Sequence, residues 1–580
     1  MRSSKFWLIL LDLLLITIFS CVIILPLLAG NIILRINDLD FHYPAAVEFS
    51  HSIQEGYFYP RWMPRANLGL GQPIFLYYPP LLFYITAIIN LFLEDVWLSL
   101  KISLFLFTWL TGMVTYMLLR GSIGRLWALI GAIIIVLFPT FFIFLHYDKE
   151  LAWYASCAAG IAVIYLSIDN SQHSLARYLL LSIAVAALVL THSLSAFLLL
   201  LCLLFVPVID VLYRKDKFPE LGKQALYWCC AVTLGVGIGL IHLMPAFLGW
   251  DLITSQHYAA LNWRNRFVFP TITYFIFGEH WFLYQLYIPL ILLLSNLTVT
   301  LYLIRHPNHS INQWLICMKL AFIGWLALLF GSELFYPLWY FSNPIMQKVQ
   351  FPLRFLYVAS LAIPLATILA AYQSWHYKAS KFWRISLITA LVTPVLLTTV
   401  LLLKLIIIDG KVFIMTPDFL AGNFANPGLN PATLGKDWRR YIEQGGIIGD
   451  CQRKSLNCQI LLSKSQDREW LIESDHVDSL ILPVPVFPGW QILLNGSQIQ
   501  TDIDIPTGLI QAPVIPGKNL VRLTWKGIPS EHLGTLLSVI STGILALLFI
   551  IAIWRKRTSA LFNYAGKCPG NRSGSRQPDL

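Results

Sequence analysis

Residues 6–30, FWLILLDLLLITIFSCVIILPLLAG, and residues 38–80, DLDFHYPAAVEFSHSIQEGYFYPRWMPRANLGLGQPIFLYYPP, decide the fold together. The first stretch is apolar and long enough to cross the roughly 30 Å of a bilayer core. It is too long for a signal-peptide core and lacks a small-residue cleavage site, so it reads as a retained anchor. The second is a polar loop rich in carboxylates, histidines, arginines and aromatics. Around it lies a chain of 580 residues that is 57% hydrophobic and 12% charged, against about 25% charged in soluble domains. The composition specifies a polytopic α-helical membrane protein and makes the loop the place to look for chemistry.

The apolar runs resolve into about twelve spans: 6–30, 96–119, 126–145, 151–168, 175–190, 194–212, 225–245, 281–304, 314–331, 355–375, 385–408 and 533–554. A further run, 74–93, opens on Pro79 and Pro80. If it does not cross, the basic clusters at Arg2/Lys5, Arg120/Arg125, Arg177, Arg214/Lys215/Lys217, Arg305, Lys378/Lys381/Arg384 and Arg555/Lys556/Arg557 all share one side. The positive-inside rule makes that side cytoplasmic, with both termini there, and makes 74–93 juxtamembrane or re-entrant. The net charge of +11 is then loop charge. No basic stretch is interleaved with stacking aromatics, which excludes nucleic acid as a partner. The loop 31–95, the turns at 146–150 and 192, the loops 246–280 and 332–354, and the segment 409–532 are all placed outside.

Residues 409–454 are rich in Gly, Pro and Asn and read as a linker with short helices. From 455 to 532 short apolar runs alternate with turn signals, including Asn495-Gly496, Gly508 and Pro516-Gly517. Asn-Gly between apolar runs marks a hairpin, and the pattern predicts an extracytoplasmic β-sandwich of about seven strands. Residues 533–554 form the last span, and the polar tail 555–580 is expected to be cytoplasmic and disordered. Six cysteines lie in apolar runs as small packing residues. Cys451 and Cys458 lie in the outer segment, where a disulfide is chemically allowed. No Cys/His zinc pattern is present.

Within the loop, Pro44 suits the start of a helix and Gly56 its end. Glu48, His51 and Glu55 share one face, and Ala46, Phe49 and Ile53 the other. This predicts an amphipathic helix lying on the outer leaflet with solvated charges. Asp38 and Asp40 precede it. Either could meet the helix dipole as a cap or serve as a general base for an acceptor hydroxyl. Arg61 and Arg65 bracket PRWMPR, and guanidinium groups bind phosphate in a forked geometry. His146, Asp148 and Glu150 in one turn, His192 in another, and Arg354 at the opening of a span could complete the site. Asp12, Lys101, His242 and Lys319 are the ionisable residues in apolar runs, and no pattern pairs them.

The order of a first span, a loop with early aspartates and EGYFYPRWMPRANLGLGQPIFLYYPPL resembles bacterial membrane proteins described as related to 6-pyruvoyl-tetrahydropterin synthase. No motif for pterin chemistry accompanies that label. QFPLR at 350–354 fits the same resemblance, and FPGWQILLNGSQI with GLIQAPVIPGKNLVRLTW looks like the outer β-domain of YfhO-like membrane proteins. Such chains resemble GT-C glycosyltransferases. The resemblance implies a bacterial plasma-membrane location, a polyprenyl-phosphate-linked sugar donor, an envelope glycan, lipid or protein acceptor, and an outer-face site with a catalytic Asp in the first outer loop. The matching positions are Asp38 and Asp40, with Asp40, nearer the helix, preferred. A second acidic position maps to Asp148 or Glu150. The Asp-Glu pair of protein mannosyltransferases is replaced by Asp-Leu-Asp, and the WWD signature of oligosaccharyltransferases is absent. A divalent cation is compatible with such a site, and nothing in the sequence requires one. The alternatives from other classes are a transporter or flippase of lipid-linked glycans, and a non-catalytic envelope scaffold.

Overall fold

The computed structural model describes residues 2–30, 32–33, 37–168, 174–213, 218–254, 266–269, 283–307, 311–341, 349–409, 411–412, 429–500 and 502–565. His257, Glu279, His280 and Cys568 lie outside the described residues, as do Arg214, Lys215 and Lys217.

Nine helical segments among the described residues are long and apolar enough to cross a membrane, or ten if the bent pair Pro219–Ile238 and Leu240–Leu248 counts as one crossing. The chain begins with α1 (Arg2–Gly30), α2 (Leu39–Gln54), α3 (Ile74–Tyr77), α4 (Leu81–Leu93), α5 (Val96–Val136), α6 (Pro139–His146), α7 (Leu151–Ile168) and α8 (Leu175–Leu203). Two of the apolar segments fold back on themselves. Val96–His146 has 51 residues, about 77 Å if straight at 1.5 Å per residue. It breaks at Gly124, whose φ of +76° leaves the helical region. A Cβ on Gly131 would lie 2.9 Å from Leu119, and one on Gly112 would lie 3.1 Å from Val136. Those approaches require antiparallel halves. Leu175–Tyr213 breaks at His192 (φ −154°, ψ 93°). There Tyr178 and Val206 line one cavity from the two sides of the break. His192 Nδ1 accepts the Ser195 amide at 3.2 Å and so caps the second half.

The run 74–93 does not form one helix. The backbone turns extended at Tyr78 before Pro79 and Pro80, and only the 13-residue α4 follows. At about 20 Å it is too short to span. α2 departs further from expectation. Its helix starts at Leu39, so Pro44 falls inside it rather than at its first turn, and most of its residues, Glu48 included, are buried. It is a covered helix, not one resting on a leaflet surface. Gly56 ends it as expected. Gly56 and Tyr57 donate to Ile53 and Ser52 carbonyls at 3.0 and 3.1 Å, a Schellman pattern that needs the positive φ of Gly56.

Of the four ionisable residues in apolar runs, three have partners, while both ring nitrogens of the buried His242 lack one among the described residues. Asp12 meets Arg125 at 2.7 Å and the Tyr116 hydroxyl at 2.6 Å. Lys319 meets Asp210 at 2.7 Å. Lys101 lies over the Trp97 ring. Sequence spacing could not reveal the two ion pairs, because each joins helices far apart in the chain, whereas Lys101 and Trp97 stand four residues apart on one helix.

The strand pair β1 (Ile32–Ile33) and β2 (Lys411–Val412) ties the exit of α1 to the segment after Lys381–Asp409. Eight further strands follow, one more than expected: β3 (Asn457–Ser463), β4 (Asp467–Ser474), β5 (Asp478–Pro485), β6 (Trp490–Leu494), β7 (Ser497–Ile499), β8 (Asp502–Asp504), β9 (Leu509–Val514) and β10 (Gly517–Trp525). They form two antiparallel sheets, β3-β4-β10-β6-β7 and β5-β9-β8. Alternate residues such as Trp470, Ile472, Leu480, Leu482, Ile510 and Val521 meet in one core, as period-two alternation dictates. Asn495 and Gly496 both take positive φ in the two-residue β6–β7 turn. Cys451 and Cys458 form a disulfide. Two short helices, Trp438–Glu443 and Gly446–Arg453, precede the strands.

Candidate functional site

The first loop has two polar ends with different surroundings. The end nearer the middle of the loop is clamped by the β-sheets. Trp62 is fully buried, with ring centroids of Phe487, Trp490 and Trp525 within 5.3–5.9 Å. Gly71 (φ +90°) passes so close that a Cβ there would sit 2.0 Å from Trp62 Nε1, so no other residue fits. Arg61, 2% exposed, donates to Glu531 at 2.9 Å at the start of the last helix and lies 3.6 Å over Tyr59. Arg65 pairs with Glu48 at 3.3 Å. Glu55 accepts from the Ser465 amide and hydroxyl at 2.9 and 2.6 Å, and Tyr57 donates to Asp467 at 2.7 Å. Arg468 donates to the Pro483 carbonyl at 2.9 Å. Burial lowers its pKa to about 10, against the pull of Glu48 and Glu55. Burial also raises Glu48 to about 7. Arg61 and Arg65, expected to hold phosphate, are thus engaged in holding the loop to the β-sheets and the last helix.

The other end is built around Asp38. Asp38 is the N-cap residue of α2, yet its carboxylate makes no capping hydrogen bond. Its amide donates to the Asp148 carbonyl at 3.2 Å, and Asn37 donates to the Tyr147 carbonyl at 2.8 Å. Those two bonds stitch the first loop to the turn after α6. Arg354, from the short turn Pro352–Phe355, acts on both Asp38 and Glu150. Its Nη1 donates to Val349 at 2.9 Å, and its guanidinium faces Trp153 and Phe351. Three segments remote in sequence therefore meet at one end of the bundle.

The electrostatics of this cluster are unbalanced. Asp38 stays open to solvent at the rim, but the protein crowded around it, and then the charges of Asp148 and Asp40, raise its pKa to about 6 despite Arg354. Glu150 is raised to about 8 by burial and by Asp38, again against Arg354. At neutral pH the pair holds roughly one proton. Tyr78, from the Tyr-Tyr-Pro-Pro break, feels Asp38, Glu150 and Arg354, and its hydroxyl lies 3.4 Å from His42 Nε2. His42 Nδ1 and Arg354 Nε are buried with no partner among the described residues, and such orphaned atoms in a native interior call for an explanation.

Each expected residue has a definite place. Asp38, Asp148, Glu150 and Arg354 come together, and His192 adjoins them through Trp153, whose ring is 5.5 Å away. Asp40, preferred on sequence, is exposed in the first turn of α2, and neither Arg354 nor Glu150 acts on it. Helix geometry explains the difference: two residues along a helix turn a side chain to another face. His146 is fully buried with Nε2 bonded to the Ile23 carbonyl at 2.8 Å. Lys149 folds back onto the Leu145 and His146 carbonyls at 3.0 Å and ends α6. Sequence reading missed Tyr78, His42 and Trp153. His42 carried a signal, since it stands four residues after Asp38 on the same helix face. Among the described residues, no group of three or more His, Cys, Asp or Glu could hold a metal ion.

Comparison with known proteins agrees with the helical architecture. A family model described as 6-pyruvoyl-tetrahydropterin synthase related domain, a membrane protein, matches residues 75–412. That stretch holds Tyr78, Asp148, Glu150, His192 and Arg354 and begins after Asp38. No curated protein matches the chain. With the match covering more than half its length, this multi-pass membrane protein belongs to the 6-pyruvoyl-tetrahydropterin synthase related family.

Proposed function

We infer that the protein is a membrane glycosyltransferase that moves a sugar from a polyprenyl-phosphate donor to an envelope glycan, lipid or protein acceptor on the extracytoplasmic face. The observation that carries this reading is the Asp38–Glu150–Arg354 cluster. Sugar transfer from a lipid phosphate needs a base for the acceptor hydroxyl and a cation for the departing phosphate. Asp38, with its pKa near 6, is ionised at neutral pH yet basic enough to take a proton. Arg354 has the forked geometry that suits phosphate. Glu150, protonated over the same range, can donate a hydrogen bond to the sugar or the phosphate. Tyr78, half-buried at the Tyr-Tyr-Pro-Pro break, offers a ring face for a sugar.

Topology supports the same reading. The ten candidate segments become twelve crossings when each folded-back segment counts twice. With α4 not crossing, the positive-inside rule puts both termini in the cytoplasm and the cluster outside. The two β-sheets then form an outer sandwich over 455–532, behind a linker at 409–454. The disulfide Cys451–Cys458 suits an oxidising outer compartment, and 533–554 is the returning span. The test is mass spectrometry of the purified protein. A bound polyprenyl-phosphate sugar, lost from Arg354→Gln, is the expected result. A wild-type protein free of such lipids, and unable to take up an added one, contradicts the reading.

A further inference from the structure

The last helix, Pro529–Ala565, packs on the bundle through its first half. Gly534 lies against Leu240 and Met244, and Ser541 against Gly237. Ser538 accepts the Ile241 amide at 2.6 Å and donates to the Gly237 carbonyl at 3.2 Å. Beyond Ser541 most residues of the helix are exposed, with Leu545 buried, and a cavity of about 770 Å³ lies between it, the first turns of α8 and the helix Phe218–Ile238. This is the size of a pocket for a substantial organic ligand. It lies at the opposite end of the bundle from Asp38 and the β-sheets. Arg555 is about 39 Å along the helix from Pro529.

The lining is graded. Leu179, Leu234, Ile544 and Leu548 make apolar walls. The far end carries Arg555, Ser174 and the rings of Tyr178 and Tyr227, whose centroids are 5.5 Å apart. Ser174 also caps α8, accepting the Arg177 amide at 3.3 Å, so the positive end of a long helix faces the same region. Tyrosines at headgroup depth and a cation beside them match the chemistry of a lipid interface. Apolar walls with a cationic, dipole-positive end are complementary to a molecule with an anionic head and hydrocarbon chains.

We propose that this groove is a binding site for an anionic phospholipid, with its acyl chains between the last helix and Leu179 and Leu234, and its phosphate at Arg555. The lipid fills the gap between the last helix, α8 and the helix Phe218–Ile238. The site is separate from the Asp38 cluster, and the proposal does not depend on the glycosyltransferase reading.

The test uses the full chain in nanodiscs with phosphatidylglycerol carrying a photoreactive acyl chain, and phosphatidylcholine carrying the same chain as control. Cross-linked peptides are mapped by mass spectrometry. Phosphatidylglycerol is expected to label 227–234 and 541–548 above the other lipid-facing helices. Arg555→Glu should reduce that labelling about fivefold, the effect of losing one basic contact to an anionic headgroup. Ile544→Trp, at an exposed position that points into the groove, should abolish labelling while the thermal melt stays unchanged. Ser541→Ala, which leaves the groove open, should retain it. Equal labelling by phosphatidylcholine, labels spread evenly over all helices, or cross-links between two copies of the chain at the groove would each overturn the proposal.

Discussion

The two polar ends of the first loop draw on the same residue types and are used in opposite ways. Around Trp62, each charge has a counter-charge or a hydrogen-bond partner: Arg61 with Glu531, Arg65 with Glu48, Glu55 with Ser465. Around Asp38 four acids crowd together, Arg354 drawing on Asp38 and Glu150 and Arg266 and Lys149 on Asp148, and desolvation still raises both Asp38 and Glu150. Paired charges hold elements together, while crowded acids leave protonation states free to change near physiological pH. On the proposed function, the Asp38 end is the reactive one and the Trp62 end the clamp.

The largest effect is expected from breaking the clamp. Trp62→Ala removes an indole from the aromatic cluster and should cost about 3–5 kcal/mol. The readout is a separate, earlier unfolding transition or protease cleavage between 455 and 532. Arg61→Gln leaves Glu531 largely buried without its cation and should cost about 3 kcal/mol. Activity per folded molecule should nevertheless stay near wild type. A loss of turnover in the folded fraction would move Arg61 into the site.

Next comes Arg354→Gln. Loss of charged hydrogen bonds to phosphate should cost about 2 kcal/mol of donor binding, about thirtyfold in affinity. Donor titration checks this, and unchanged affinity would remove Arg354 from the phosphate. A smaller effect sharpens the comparison through pH. Asp38 must be ionised to act as a base, so transfer should fall as pH drops through about 6. Asp148→Asn removes a negative neighbour, makes proton loss easier, and should move that acid limb to lower pH. The smallest effect is expected at Asp40→Asn, within about threefold of wild type in turnover, in keeping with a surface position.

Much of this architecture was legible in the sequence, for physical reasons. Apolar runs and basic loops carry topology one segment at a time, and the Asn495-Gly496 turn carries its hairpin. The convergence of residues 38, 148–150 and 354 was legible because spans of similar length return the chain to the same side. What was not legible depended on packing. Arg61 looked like a free phosphate ligand because Glu531, its partner, is remote in the chain. Glu48 looked solvated because no pattern within α2 reveals its partner Arg65 or the nearby Arg468 of the β-sheets. A start for α2 nearer Pro44 also hides that Asp38 and Asp40 lie on different sides of the helix, with Asp38 the one on which Arg354 acts. His42 and Tyr78 went unremarked because an aromatic or a histidine in a loop is more often packing than site.

The decisive measurement is sugar transfer from a polyprenyl-phosphate donor by Asp38→Asn, made on protein shown by its melting curve to be folded and by mass spectrometry to hold the donor. The isosteric amide cannot take a proton, so turnover should fall by about 10²–10⁴-fold with donor still bound. Turnover at the wild-type rate would contradict the assignment of Asp38 and, with it, the division of the loop into a reactive end and a clamp.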